Sequence, residues 1–305
     1  MQRLPIITLT LSSAALLAAQ EATPANRLPP TRPVVVDSTT LAWTELGRGT
    51  RPVIFVHGEL GDYRSWGLVL LLADRDADVI TYSRRYHWPN QPIAAGQDYD
   101  PALQLSDLIG FIEKVGHGPV DLVGYSYGAE LALRLLLRRP ELVKRVVLTE
   151  PGINAIANRQ FEIVDSLARR LGGWTEVDSL LSAGDTAGAL EGTVTLIDGP
   201  QAVAQLTPEF LSQLQDNLPA FLAWRKAPPL PPPTCDDLAN INTPVLIVEG
   251  GDTGYLFRRA DDLLMGCIPN ATRAVIPNAT HSLVRHRPQA FNQIVLAFLA
   301  SQPPQ

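Results

Sequence analysis

Gly124-Tyr125-Ser126-Tyr127-Gly128 is the stretch that decides how this chain folds. It follows Val120–Val123, a short apolar run that reads as a buried strand, and precedes Ala129–Leu137, a strongly apolar segment that reads as a helix. A G-x-S-x-G in that setting is a sharp turn from strand to helix. The turn strains the backbone at the serine, and only glycines fit at the flanking close contacts. The hydroxyl is left exposed beside a helix N-terminus, where partial positive charge favours an anion. Ser126 is therefore the candidate nucleophile.

The same alternation extends outward in both directions. Val34–Val36, Leu41–Leu46, Pro52–Val56, Val79–Tyr82, Val146–Leu148, Val245–Val248 and Ala274–Ile276 read as strands. Trp66–Leu72, Pro101–Val115, Leu256–Leu264 and Ala290–Leu299 read as helices. Continuous apolar runs of this length suit strands covered on both faces. Strands alternating with helices predict an α/β fold, a mainly parallel sheet with helices on both faces.

Gly152 to Asn242 breaks the rhythm. No buried strand is evident there, and Phe161–Leu171 and Phe210–Leu222 are amphipathic helical stretches. The segment closes on Ala227-Pro228-Pro229-Leu230-Pro231-Pro232-Pro233, a stiff spacer. Strands return after Pro244, and the sheet would be incomplete without them. This predicts a helical cap over 152–242 inserted between core segments 26–151 and 243–305. Trp174, Phe210, Phe221 and Trp224 are its expected pocket-wall or cap-core residues.

Composition narrows the function. The chain has 305 residues, 46% hydrophobic and 18% charged, with a formal net charge of −6. That is an ordinary globular balance, so global disorder is excluded. It lacks the basic footprint of a nucleic-acid binder. Two cysteines, Cys235 and Cys267, are too few for a disulfide scaffold and fit no zinc spacing. Arg3 followed by an apolar run from Leu4 to Ala19 has the layout of a secretory signal peptide, expected over 1–25. That run is too short and polar to span a membrane. Residues 26–33 read as a linker. Export would bring the two cysteines into an oxidising compartment, where they could pair.

The other candidate groups also stand at strand ends. His57-Gly58-Glu59-Leu60-Gly61 follows Pro52–Val56. Its expected role is to aim the Glu59 N–H at a developing oxyanion, with the Tyr127 N–H as second donor. The Glu59 side chain is expected to point away or to meet a positive group, and His57 to be a structural hydrogen-bonder. His281 lies between the last strand and the last helix, where the general base is needed. His117 reads as a polar-loop residue, and His87 belongs to a loop, Ser83–Trp88, expected to line the pocket. Tyr63, Tyr86, Trp88, Tyr125 and Trp66 are the expected core-side pocket aromatics. Two carboxylates could serve as the acid that orients the base: Asp252, after Val245–Val248, and Glu150, after Val146–Leu148. Their bland alternatives are a turn-former and a strand-end charge facing solvent.

The combination of an HGxxG loop, a nucleophile elbow and a late histidine resembles the α/β-hydrolase superfamily over roughly 34–301, apart from the cap. In most members the acid follows the penultimate strand, commonly as G-x-x-D. Gly250 places that position at Thr253, one residue past Asp252. Some members, including fungal lactonases that open resorcylic macrolides, are similar in carrying a glutamate after the preceding core strand. The resemblance thus favours Glu150, with Asp252 as the alternative. Serine, histidine and carboxylate imply acyl transfer through a covalent acyl-enzyme on a small-molecule ester or lactone, with no metal or organic cofactor required. A haloperoxidase-like enzyme or a carbon–carbon hydrolase would use the same triad, and a ligand-binding protein could keep the fold with slow turnover.

Overall fold

The computed structural model describes residues 28–47, 49–67, 77–152, 155–157 and 173–301. Eight strands form one sheet: β1 (Arg32–Val36), β2 (Thr39–Gly47), β3 (Arg51–Val56), β4 (Ala77–Tyr82), β5 (Val120–Tyr125), β6 (Val143–Thr149), β7 (Val245–Gly250) and β8 (Ala271–Ile276). Their order is β1-β2-β4-β3-β5-β6-β7-β8. β1, β2 and β4 pair antiparallel, and every pairing from β4 to β8 is parallel. The mainly parallel sheet is the one the sequence predicts. The expected linker is shorter than 26–33, because Arg32 and Pro33 already pair with β2.

Strand residues alternate between two cores, as a period of two requires. Ile54, Val56, Leu122, Val146, Leu148, Val245 and Ile247 face one core. It is closed by α1 (Pro101–Val115) and α2 (Tyr127–Arg138), and by a later helix, Tyr255–Cys267. Val53, Phe55, Val123, Val147, Leu246 and Val248 face the other, closed by Phe291, Val295 and Leu299 of the final helix. Because both faces are covered, the strands read as unbroken apolar runs.

Between β6 and β7 the described chain runs as α3 (Gly173–Ser182), α4 (Thr186–Asp198), α5 (Pro208–Lys226) and the short α6 (Cys235–Leu238). Beyond β7 come α7 (Tyr255–Cys267), α8 (Leu283–His286) and α9 (Pro288–Ala300). The α3–α5 segment has its own small core of Leu190, Val194, Ala202, Leu214 and Phe221, into which Leu60 of the β3–β4 connection also packs. The stretch expected as a helix at Phe161–Leu171 lies outside the described residues. So do residues 68–72 of the one expected at Trp66–Leu72, whose start belongs to a 3-10 turn at Tyr63–Trp66. Residues 1–27 also lie outside the description. Cys235 and Cys267 form a disulfide with Cα atoms 5.1 Å apart, tying α6 to the end of α7.

Two of the contacts that dock the helical segment onto the core involve the carboxylates of Asp62 and Asp198. Asp62, fully buried, accepts from Asn217 Nδ2 of α5 at 2.6 Å and from Gln213 Nε2 at 3.3 Å. Asp198, the last residue of α4, meets the loop after β8. A carboxylate buried on one side of an interface is costly unless fully paired, so the Asp62 contact fixes a register. Among the described residues, no helix is long and apolar enough to cross a membrane.

Candidate active site

The elbow forms as its residues require. Ser126 sits at φ 54 and ψ −123, in the positive-φ region that side chains other than glycine rarely occupy. A Cβ on Gly128 would lie 2.1 Å from the Val56 carbonyl oxygen, and one on Gly124 would lie 2.5 Å from the Gly128 carbonyl oxygen. Both flanking glycines are therefore needed for close approach. The Ser126 N–H donates to Thr149 O at 2.9 Å, so the nucleophile turn is tied to the residue preceding Glu150. Tyr125 pairs with Thr149 in the parallel register, and Ser126 and Glu150 leave the sheet side by side.

His281 meets Glu150. Its Nδ1 lies 2.7 Å from Glu150 Oε2. The carboxylate is fully buried and accepts two further bonds, from the Gly250 N–H to Oε1 at 2.7 Å and from Thr253 Oγ1 to Oε2 at 2.9 Å. An ionised carboxylate facing Nδ1 holds the proton there and leaves Nε2 as the acceptor. The rings of Tyr125 and Phe257 stack on the imidazole at centroid distances of 5.0 and 3.9 Å, and the Tyr125 hydroxyl donates to His281 O at 3.0 Å. Ser126 and His281 line the same cavity.

Asp252, the alternative acid, is exposed and takes part in the loop through its backbone, donating N–H to Ala279 O at 2.9 Å. The bond to His281 belongs to Glu150. Thr253, at the position where the hydrolase pattern carries aspartate, is a donor to that acid instead. The sequence pattern locates this position but assigns it no role.

The Glu59 side chain turns to a positive group, as expected. Its Oε1 meets Arg84 Nη2 at 2.9 Å. Burial pushes the Glu59 carboxyl upward, and Arg84 opposes this. For Arg84 burial works against the charge, yet Glu59 and the surrounding tyrosines outweigh it and hold the guanidinium protonated. Arg84 also donates to His57 O and Gly58 O, each at 3.1 Å, so one buried cation fixes the carbonyls on which the Glu59 peptide turns. His57 is structural. Its Nε2 accepts the Arg84 N–H at 2.9 Å, so its Nδ1 carries the proton that Gly58 O accepts at 2.8 Å. Burial, and then Arg84, depress its pKa well below the ordinary value. The Tyr127 N–H lies in the first turn of α2, where amides have no intrahelical acceptor.

The cavity over Ser126 has a volume of about 1600 Å³. Trp174, Phe210, Phe221 and Trp224 all line it, as expected, and Tyr125 lines it from the core side. Tyr63, Tyr86, Trp88 and Trp66 are not among the residues that line this cavity. Trp66 is wholly buried against Phe55 and Phe291 in the core. Ser83 Oγ donates to Trp88 O at 2.6 Å and Trp88 N donates to Asn217 Oδ1 at 2.9 Å, which ties the 83–88 loop to α5. Trp88 then stacks on Tyr63 at 5.8 Å, while Tyr86 packs near Tyr99 at 6.1 Å. His117 is an exposed loop residue. Among the described residues there is no cluster of side chains suited to hold a metal ion.

Comparison with known proteins agrees with this architecture. Residues 53–294 match the model of the Alpha/beta hydrolase family. The sn-1-specific diacylglycerol lipase of Mus musculus is 28% identical over 272 residues, covering 83% of this chain and 83% of that protein. The 2-hydroxymuconate semialdehyde hydrolase of Pseudomonas putida is 26% identical over 213 residues, covering 66% of this chain and 70% of that protein. Among solved structures, the enol-lactonase from Burkholderia xenovorans LB400 superposes with a TM-score of 0.71 at 14% identity, over 88% of this chain and all of that one.

Proposed function

The chain belongs to the Alpha/beta hydrolase family, and we propose that it is a serine hydrolase that cleaves a carboxylic ester or lactone through an acyl-enzyme. The observation that carries this reading is the 2.7 Å contact between His281 Nδ1 and the buried Glu150 carboxylate, in the cavity that also holds the elbow serine. Relatives with ester-cleaving names, such as the mouse lipase, support the ester class.

His281 Nε2 takes the proton from Ser126 Oγ as the oxygen attacks the carbonyl carbon. Glu150 stabilises the imidazolium through Nδ1–H. The N–H groups of Glu59 and Tyr127 receive the oxyanion, and each such donor is worth about 3–4 kcal/mol of transition-state stabilisation. Collapse expels the alcohol, which is protonated by His281. Water, activated by the same histidine, then releases the acid. The aromatic cap wall favours an apolar acyl or alcohol group.

The test is turnover of a panel of chromogenic esters and lactones. Wild type should hydrolyse at least one member, and Ser126→Ala should lose about 10⁴-fold or more. Equal, slow rates in the two proteins would reject enzymatic hydrolysis.

Export is part of the same proposal. The Cys235–Cys267 disulfide fits an oxidising compartment and accords with the Arg3 to Ala19 pattern. N-terminal sequencing of secreted protein decides it, and a mature chain beginning at Met1 would reject it.

A further inference from the structure

We propose that Asp198, carried by the cap, is a positioning residue for His281, so that the base is aligned only while α4 is seated. The inference rests on the hydrolase reading above and adds to it a dependence of the base on the cap.

Asp198 ends α4, and Gly199 at φ 88 turns the chain away immediately after it. Its Oδ1 accepts from Thr280 Oγ1 at 2.8 Å and from the Ser282 N–H at 2.7 Å. Its Oδ2 accepts from Ser282 Oγ at 2.6 Å. One carboxylate therefore grips the residues on both sides of His281. An anchor serving only to hold the cap could sit anywhere on the rim, as the Asn217–Asp62 contact does. This one straddles the imidazole.

The core supplies the remaining restraints on that residue: Glu150 on Nδ1, the Tyr125 hydroxyl on the carbonyl, and the rings of Tyr125 and Phe257. Of these, only the Tyr125 hydroxyl reaches the peptide that joins 281 to 282, and it holds the carbonyl end while Asp198 holds the N–H end. A loop that has lost Asp198 can shift along the strand ends, and a displacement near 1 Å costs about 100-fold in rate. Asp198 and Ser282 also line the cavity, but their bonds are spent on each other rather than on the aromatic wall formed by Trp174 and Phe210, so the loss should appear chiefly in kcat.

Asp198→Ala should lower kcat for a turned-over ester by about 10- to 100-fold, with KM within about threefold of wild type. Adding Thr280→Val and Ser282→Ala to Asp198→Ala should cost little more, since the three changes break one set of bonds. In the imidazole region of the proton spectrum, the low-field Nδ1–H signal of His281, assigned with Glu150→Gln, should broaden or vanish in Asp198→Ala. This second readout holds whether or not a substrate has been found. A kcat within about twofold of wild type, a loss carried by KM alone, or an unchanged Nδ1–H signal overturns the proposal. If Asp198→Ala lacks a cooperative melting transition, Thr280→Val with Ser282→Ala decides on the same criteria. Wild-type turnover abolished by Ser126→Ala, together with an unaffected Asp198→Ala, would sink this inference and leave the hydrolase reading standing.

Discussion

Replacing Glu150 with glutamine should nearly silence the protein, for a reason fixed by the acid's neighbours. The Gly250 N–H points at Oε1 from 2.7 Å and can be met only by an acceptor. The glutamine oxygen must therefore occupy that position, which puts the amide nitrogen where Oε2 was. There it faces His281 Nδ1 at about the native 2.7 Å and donates to it. Thr253 Oγ1 does not resist the swap, because a hydroxyl can accept as readily as donate. Nδ1 is then the acceptor and Nε2 carries the proton, the tautomer that cannot take one from Ser126. The expected fall in kcat is about 10⁴-fold, roughly 5 kcal/mol of barrier, with the melting temperature little changed. Steady-state kinetics on any accepted ester, paired with a melting curve, measures both. Asp252→Asn, altering an exposed carboxylate, should keep kcat near wild type. Equal losses in the two variants, or a Glu150→Gln enzyme within about tenfold of wild type, would refute the reasoning.

Three further outcomes rest on particular contacts. Thr253 Oγ1 lies 2.9 Å from the Glu150 oxygen that meets His281, so Thr253→Asp should raise the kcat of a Glu150→Ala enzyme by about tenfold or more; no recovery would mean the loop cannot deliver a carboxylate from 253. Cys235→Ser with Cys267→Ser opens a loop of sequence separation 32, worth about 3–4 kcal/mol by chain entropy, and calorimetry should find a melting temperature lower by about 10 °C with kcat at 25 °C retained. Burial depresses both His57 and His87, with Arg84 adding to it, so below about pH 6.5 these two side chains bind more protons in the unfolded state than in the folded one. Their contribution is complete above that pH and declines as pH falls towards the depressed folded values; the raised Glu59 runs the other way, so the check is a shallower slope of melting temperature between about pH 6.5 and 5 in His57→Gln than in wild type.

The elbow was legible because its two glycines sit between an apolar strand and an apolar helix, and backbone packing alone makes that combination informative. His281 was legible from its place after the last strand. The choice between Glu150 and Asp252 was not, because it turns on loop geometry: Glu150 leaves its strand at φ 44, and Thr253 swings under the carboxylate. Tyr63, Tyr86 and Trp88 looked like pocket residues because they are aromatic and stand near strand ends. Their actual partners are not local: Trp88 N is bonded to Asn217, 129 residues away, Tyr63 stacks on Trp88, and Tyr86 packs near Tyr99. Asp198 carries no local signal at all, since its partners at 280 and 282 lie 82 and 84 residues downstream.

Covalent catalysis by Ser126 is tested most directly by mass spectrometry of the enzyme quenched during turnover of an activated ester. The expected result is a pre-steady-state burst and an acyl group mapped to the peptide bearing Ser126, absent in Ser126→Ala. Turnover with no adduct at Ser126, or with the acyl group on another side chain, would contradict it.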